Sequence, residues 1–205
     1  TRLLGLVILV PLVMEYISNI QITRREMDTL PWKFTLRQIF LGLSLLLVPL
    51  AFGIYLLQNY LVTGNAFQFL VYQNQNWHQQ FSIFFRTPAY QTDYLINAIL
   101  SGSRNMVFGL WLPNLLAIVI SLVIMLLSHR QLRTSYTAYF ICYFFMGIST
   151  SWLLSAPRYL LGCFPLLIGL SLLTKKRWVD ILVSIACLAG FVVYFYLFLS
   201  RQHVY

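Results

Sequence analysis

Long apolar stretches separated by short polar connections divide the chain. Six apolar runs are visible, at about 3–20, 37–57, 105–127, 136–155, 159–173 and 178–199. A helix needs about 20 residues to cross about 30 Å of hydrocarbon at 1.5 Å per residue. Each run is near that length. The fifth is the shortest and either stands upright or extends through Ser155 and Pro157. Lipid offers no partner for free backbone N–H and C=O groups, so the runs must be helical. The pattern predicts an all-α fold, a polytopic transmembrane helix bundle of about six spans. Residues 1–205 form a single transmembrane domain, with an outer loop at 58–104.

Composition sharpens this reading. Hydrophobic residues make up 60% of the chain and charged ones 9%, with a mean hydropathy of +0.76. Soluble domains average about 45–50% apolar and about 25% charged residues. A disordered chain, a collagen, a coiled coil and a water-soluble globule are therefore excluded. The formal charge is +9, which in a soluble domain would suggest nucleic acid. Here the cations occupy short loops between apolar runs, so topology and lipid phosphates explain them and nucleic acid does not. Cys142, Cys163 and Cys187 all lie inside apolar runs, at no metal-binding spacing, and read as small buried residues. The chain starts with Thr1 on an apolar stretch with no signal-peptide pattern, and is read as the C-terminal part of a longer membrane protein.

The loops set the orientation. Segments 21–36, 128–135 and 174–177, with the span-edge Arg37, carry nine cations. These are Arg24, Arg25, Lys33, Arg37, Arg130, Arg133, Lys175, Lys176 and Arg177. The opposite set carries five, Arg2, Arg86, Arg104, Arg158 and Arg201, although it is longer. Positive loops stay in the cytoplasm, so 58–104 and both ends of the chain face outward. Within 58–104, ten of the twenty-three residues from Gln58 to Gln80 are Asn or Gln, interleaved with aromatic residues. Trp77, Phe81, Phe84 and Phe85 recur at helical spacing, which predicts one or two amphipathic helices lying aromatic side down on the leaflet. Thr87-Pro88 breaks that run.

Few residues could carry chemistry. Arg158, in Ser155-Ala156-Pro157-Arg158-Tyr159, sits in a tight outer hairpin. Pro157 suits a first helical turn, and a guanidinium beside free N–H groups would hold a phosphate. The plain alternative is a snorkelling anchor. Arg2, at the same depth in Thr1-Arg2-Leu3-Leu4-Gly5, could complete a diphosphate clamp or simply anchor its helix. Gly5 would permit close helix packing. Glu15 is the acid well inside a span, either functional or paired with Arg24, Arg25 or Arg37. Asp93, the acid on the outer side, reads as a helix N-cap or, with a partner, as a base. His78 could meet a sugar or a headgroup, or be incidental. No Gly-rich phosphate loop, nucleophile triad or metal cluster appears, and no cofactor is evident.

Three pieces together resemble the PIG-V family of membrane mannosyltransferases, in particular its bacterial branch. Thr1-Arg2-Leu3-Leu4-Gly5 looks like the family's Arg-x-x-Gly at the start of a span. Thr63-Gly64-Asn65-Ala66-Phe67-Gln68-Phe69-Leu70, followed by Trp77, is similar to its Gly-[Asp/Asn]-Pro-x-x-Phe…Trp segment, with Ala66 where Pro is usual. Ser155-Ala156-Pro157-Arg158-Tyr159-Leu160…Phe164-Pro165 looks like its Pro-Arg-Tyr…Phe-Pro element. The resemblance implies a GT-C-like glycosyltransferase in the bacterial plasma membrane (the endoplasmic reticulum membrane in a eukaryote). Such an enzyme takes a polyprenyl-phosphate sugar at the outer face and passes the sugar to a glycan or lipid acceptor. It implies a substrate or lipid-phosphate site at Arg158, Arg2, Tyr159 and Trp77. The family's catalytic acid lies in a first outer loop that this sequence lacks, so no residue here inherits that role. Two other readings remain, a transporter or flippase and a non-catalytic membrane subunit.

Overall fold

The computed structural model describes residues 3–26, 31–78, 80, 82–83, 85–150, 153 and 155–200. It is helical, with no β-strand among those residues. A 3₁₀ turn, Leu3–Ile8, leads into α1 (Leu9–Glu26), followed by α2 (Pro31–Leu45), α3 (Leu47–Thr63) and α4 (Gln68–Trp77). Then come α5 (Arg86–Leu100), a single turn α6 (Arg104–Met106), a π-helical turn Val107–Trp111 and α7 (Leu112–Ser128). The chain closes with α8 (Thr134–Ile148), α9 (Ala156–Leu161), α10 (Phe164–Leu173) and α11 (Arg177–Leu199).

Four helices among the described residues are long and apolar enough to cross a membrane: Leu4–Ile22, Leu36–Thr63, Arg104–Ser128 and Arg177–Leu199. They match four of the six predicted runs, and the second reaches 28 residues. The other two runs are shorter as helices. α8 stops at Ile148, and the run 159–173 is split at Gly162-Cys163 into α9 and the ten-residue α10. Prolines explain the interruptions. Pro157 and Pro165 each lie in the first turn of a new helix, where a missing N–H costs nothing. Pro49 cannot donate to Leu45, so the helix turns at Leu46, whose N–H bonds back to Leu43 O at 3.0 Å. Pro113 follows the π turn in the same way, and Leu112 N–H reaches back to Val107 O.

The main core lies where the 3₁₀ turn, α7, α8, α9 and α10 meet, around Val7, Ile118, Met125, Phe144, Ala156 and Leu166. A smaller cluster joins α5 to the π turn through Ala98, Val107, Leu110 and Trp111. α7 and α10 approach closely because Gly169 has no side chain, and a Cβ there would stand 2.6 Å from Ser128 Oγ. The Gly5 expectation fails, because a Cβ at Gly5 would meet nothing within 4 Å. α3 and α11 bury no residue. Among the cysteines, Cys163 is buried and Cys142 half-buried, but Cys187 is exposed on α11. In lipid such apolar faces need no protein cover.

The helix ends sort into two groups. Asn114, in the first turn of α7, bonds to Ala156 at the start of α9. Ser128, at the far end of α7, lies against Gly169 of α10. Beside it, Lys175 Nζ donates to Gln131 Oε1 at 2.9 Å, which joins loops 129–133 and 174–176 at one end. α7 spans 17 residues, so that cationic end lies about 25 Å from the end bearing Arg158.

Candidate functional site

The end opposite the cationic loops contains an irregular strap between α8 and α9. Backbone groups of its described residues are met by side chains from two other helices and by one backbone bond. Thr87 Oγ1 donates to Thr150 O at 2.6 Å, and Gln91 Nε2 donates to Leu153 O at 2.6 Å. Leu153 N–H donates to the Tyr90 hydroxyl at 2.5 Å, and that hydroxyl also lies 3.2 Å from Leu153 O. Ala156 N–H donates to Asn114 Oδ1 at 2.8 Å, and Ser82 N–H donates to Ser149 O at 2.8 Å. Thr87 and Gln91 are fully buried and Asn114 nearly so. Burial pushes the Tyr90 phenol up from its usual pKa, against the lowering effect of its bond to Leu153. Non-helical backbone among apolar helices survives only when its polar groups are matched in this way.

The strap delivers the chain into α9, and α9 carries Arg158. The helix has six residues, with no side-chain cap at Ser155. The free N–H groups expected beside Arg158 are reduced by one, because Asn114 already accepts from Ala156. Arg158 is exposed, and its guanidinium lies 5.7 Å from the Tyr159 ring centroid, within cation–π range. It forms no hydrogen bond or ion pair among the described residues, so its five donors point to an outside acceptor or to solvent. Tyr159 is half-buried, and its carbonyl accepts from Tyr143 Oη at 2.9 Å.

The remaining predicted residues do not converge on Arg158. Arg2 lies outside the described residues, as do Phe81 and Phe84. Trp77 is the last residue of α4, and its side chain is not described. The aromatic stripe on one continuous helix is not formed, because His78 ends α4 in a left-handed conformation (φ 50°). His78 itself is exposed. Asp93 is exposed in the middle of α5, well inside Arg86–Leu100, so it is not an N-cap. The helix starts earlier because Thr87-Pro88 fits its first turn. Asp93 makes no ion pair with Arg158. Glu15 is at the other end of the bundle; of its predicted partners, the side chains of Arg24 and Arg25 lie outside the described residues, and Arg37 makes no ion pair with it. Ser135 Oγ donates to Glu15 Oε1 at 2.5 Å, and Arg133 Nη1 lies 3.4 Å from Oε2. The loop before α8 reaches it because α1 and α8 pack side by side.

Turn chemistry accounts for Thr63–Phe67. Gly64 ends α3 at φ 76°, and Asn65 Oδ1 accepts from Phe67 N–H at 2.9 Å. The residues missed from sequence are Thr87, Tyr90, Gln91 and Asn114. Their signal was present: Thr87 and Gln91 share a helix face, and Asn114 is a lone amide in an apolar run. Among the described residues no three His, Cys, Asp or Glu side chains gather as a metal site. Compared with known proteins, the chain matches no family model, no curated protein and no solved structure.

Proposed function

We propose that the chain forms part of a GT-C-like bacterial membrane glycosyltransferase, a mannosyltransferase by its resemblance to the PIG-V family. In this reading α8 and the α9–α10 pair also cross the bilayer, giving six spans. The cationic loops face the cytoplasm and α9 faces outward. The donor is a polyprenyl-phosphate sugar that enters sideways between helices, and the acceptor is a glycan or a lipid. Arg158 holds the donor phosphate, with Tyr159 beneath it and Arg2 as a second cation. Transfer is inverting: a base takes the acceptor hydroxyl proton while fixed positive charge stabilises the leaving phosphate. The resemblance assigns that base to no residue of this sequence.

One observation carries the proposal. Arg158 is an exposed guanidinium with no hydrogen-bond or ion-pair partner among the described residues, set on a short helix whose entry is fixed by a buried hydrogen bond. In the intact protein, Arg158→Ala should reduce transfer from a polyprenyl-phosphate hexose by about 10²-fold, the size of one lost phosphate contact in a water-poor site. Membrane abundance should not change. Full activity in that variant would remove Arg158 from the donor site.

The breaks at Leu46, at the π turn and at Gly162-Cys163 favour a second reading, because discontinuous helices are a mark of transporters. Substrate uptake by proteoliposomes of the intact protein, without hexosyl transfer, would select a transporter or flippase. Transfer only in the presence of another membrane protein would make this chain a subunit.

A further inference from the structure

Near the cationic end, α1 and α2 leave an open cleft of about 390 Å³. Its lining mixes apolar side chains, Leu12, Ile22, Leu41 and Leu45, with polar ones, Glu15, Ser18, Asn19 and Ser44. Glu15 lies seven residues before Ile22, the end of its span, so the cleft reaches about 10 Å into the span. A lining of both kinds at that depth matches an amphiphile, with its chain along the leucines and its head at the carboxylate.

Glu15 lines the cleft, and its ion pair with Arg133, which stands beyond that lining, is incompletely used. The Glu15–Arg133 contact, at 3.4 Å, is longer than the 2.7–2.9 Å of a good charge-assisted bond. Both side chains are partly open, at 42% and 71% exposure. Glu15 accepts from Ser135 and Arg133, two donors against about four lone-pair sites, and Arg133 has five N–H groups. A second observation lies on the same helix pair. Gln38 shares the α2 stripe of Leu41 and is only 6% exposed. Neither atom of its side-chain amide has a hydrogen-bond partner among the described residues. The Gln38 backbone carbonyl accepts from Tyr16 Oη at 3.1 Å, and Tyr16 lines the cleft.

We propose that this cleft binds a phospholipid with a primary-amine head, of the ethanolamine type. The ammonium donates to Glu15 while the phosphate takes the remaining donors of Arg133. The zwitterion lies antiparallel to the ion pair, so each charge meets its opposite. A glycerol head brings the phosphate without a cation for Glu15. A choline head brings a cation without an N–H. The site is independent of the donor site at Arg158, which lies at the opposite end of the bundle and shares no residue with the cleft.

The test is native mass spectrometry of the delipidated full-length protein with phosphatidylethanolamine, phosphatidylcholine and phosphatidylglycerol of matched chains. Ethanolamine lipid should be retained about tenfold better than either of the others, the ratio expected for one hydrogen bond between charged groups. Glu15→Gln should erase that preference and leave phosphatidylglycerol binding intact. Ser18→Leu, which fills the cleft without touching the ion pair, should weaken ethanolamine lipid binding and serves where Glu15→Gln does not insert. Equal retention of the three lipids, a preference that survives Glu15→Gln, or ethanolamine lipid binding unchanged in Ser18→Leu overturns the proposal. Equal binding of soluble glycerophosphoethanolamine overturns the lipid assignment, because it would show that the apolar lining is not used.

Discussion

Single hydrogen bonds decide the shape of the strap, and donor direction makes their roles testable. Asn114 serves as an acceptor for Ala156 N–H. Asn114→Asp keeps that acceptor, so at neutral pH it should lose less thermal stability in detergent than Gln91→Glu, although burial of an acid costs both. Asn114→Leu orphans a buried N–H and should cost about 1–3 kcal/mol. Gln91 serves as a donor to Leu153 O, so its ionised acidic replacement loses that bond. In Gln91→Glu a carboxylate faces a carbonyl in a buried site, and burial raises its folded pKa above the unfolded value of about 4.3. The protonated acid can donate to Leu153 O and the carboxylate cannot. Stability of Gln91→Glu should therefore be greatest below about pH 4.3 and fall as the pH rises through the raised folded pKa. A Gln91→Glu melting temperature that is flat or rising from pH 4 to pH 8 would contradict the assigned donor. The difference between the two acids at neutral pH separates hydrogen-bond direction from general sensitivity to charge.

Elements follow the apolar pattern wherever length and period suffice, and depart from it where a few residues intervene. The four long helices were legible because about 20 apolar residues in lipid leave the backbone no alternative. The end of α8 was not, since Ser149 and Thr150 gain partners from Ser82 and Thr87, more than sixty residues away. No local rule foresees such partners. Asp93 misled for a related reason: its cap-like surroundings are overruled by a helix that already starts at Arg86. Pairing between elements rests on small residues. A Cβ on Gly169 would also lie 3.2 Å from Ile124 Cγ2, so the neighbouring helix has little room to yield. Gly169→Ala should cost about 1–3 kcal/mol by overpacking the α7–α10 contact. Ser128→Gly in the same chain removes the nearer obstacle and should recover part of that loss. Additive effects in the double-mutant cycle would show that the two positions do not meet.

At the scale of the molecule, charge and depth must agree. Arg130, Arg133, Lys175 and Lys176 belong to loops joined by the Lys175–Gln131 bond, whereas Arg158 stands at the far end of α7. The positive-inside bias read from sequence needs that separation, because it has meaning only if the loops it groups share one side. Helix order and loop charge could be read along the chain, but contact between the two loops could not. The arrangement predicts opposite labelling by a membrane-impermeant maleimide. In a chain with Cys142, Cys163 and Cys187 replaced, Arg130→Cys should react only after the cells are opened. Arg158→Cys should react on intact cells, or on spheroplasts where an outer membrane blocks the reagent. Reaction of both from the same side would place the two ends of α7 in one compartment and make α7 a helix lying along the membrane. Reaction of position 158 from the cytoplasm alone would turn the bundle over. Its guanidinium would then face the compartment that holds soluble nucleotide sugars, and the case for a polyprenyl-phosphate donor at the outer leaflet would lose its geometry.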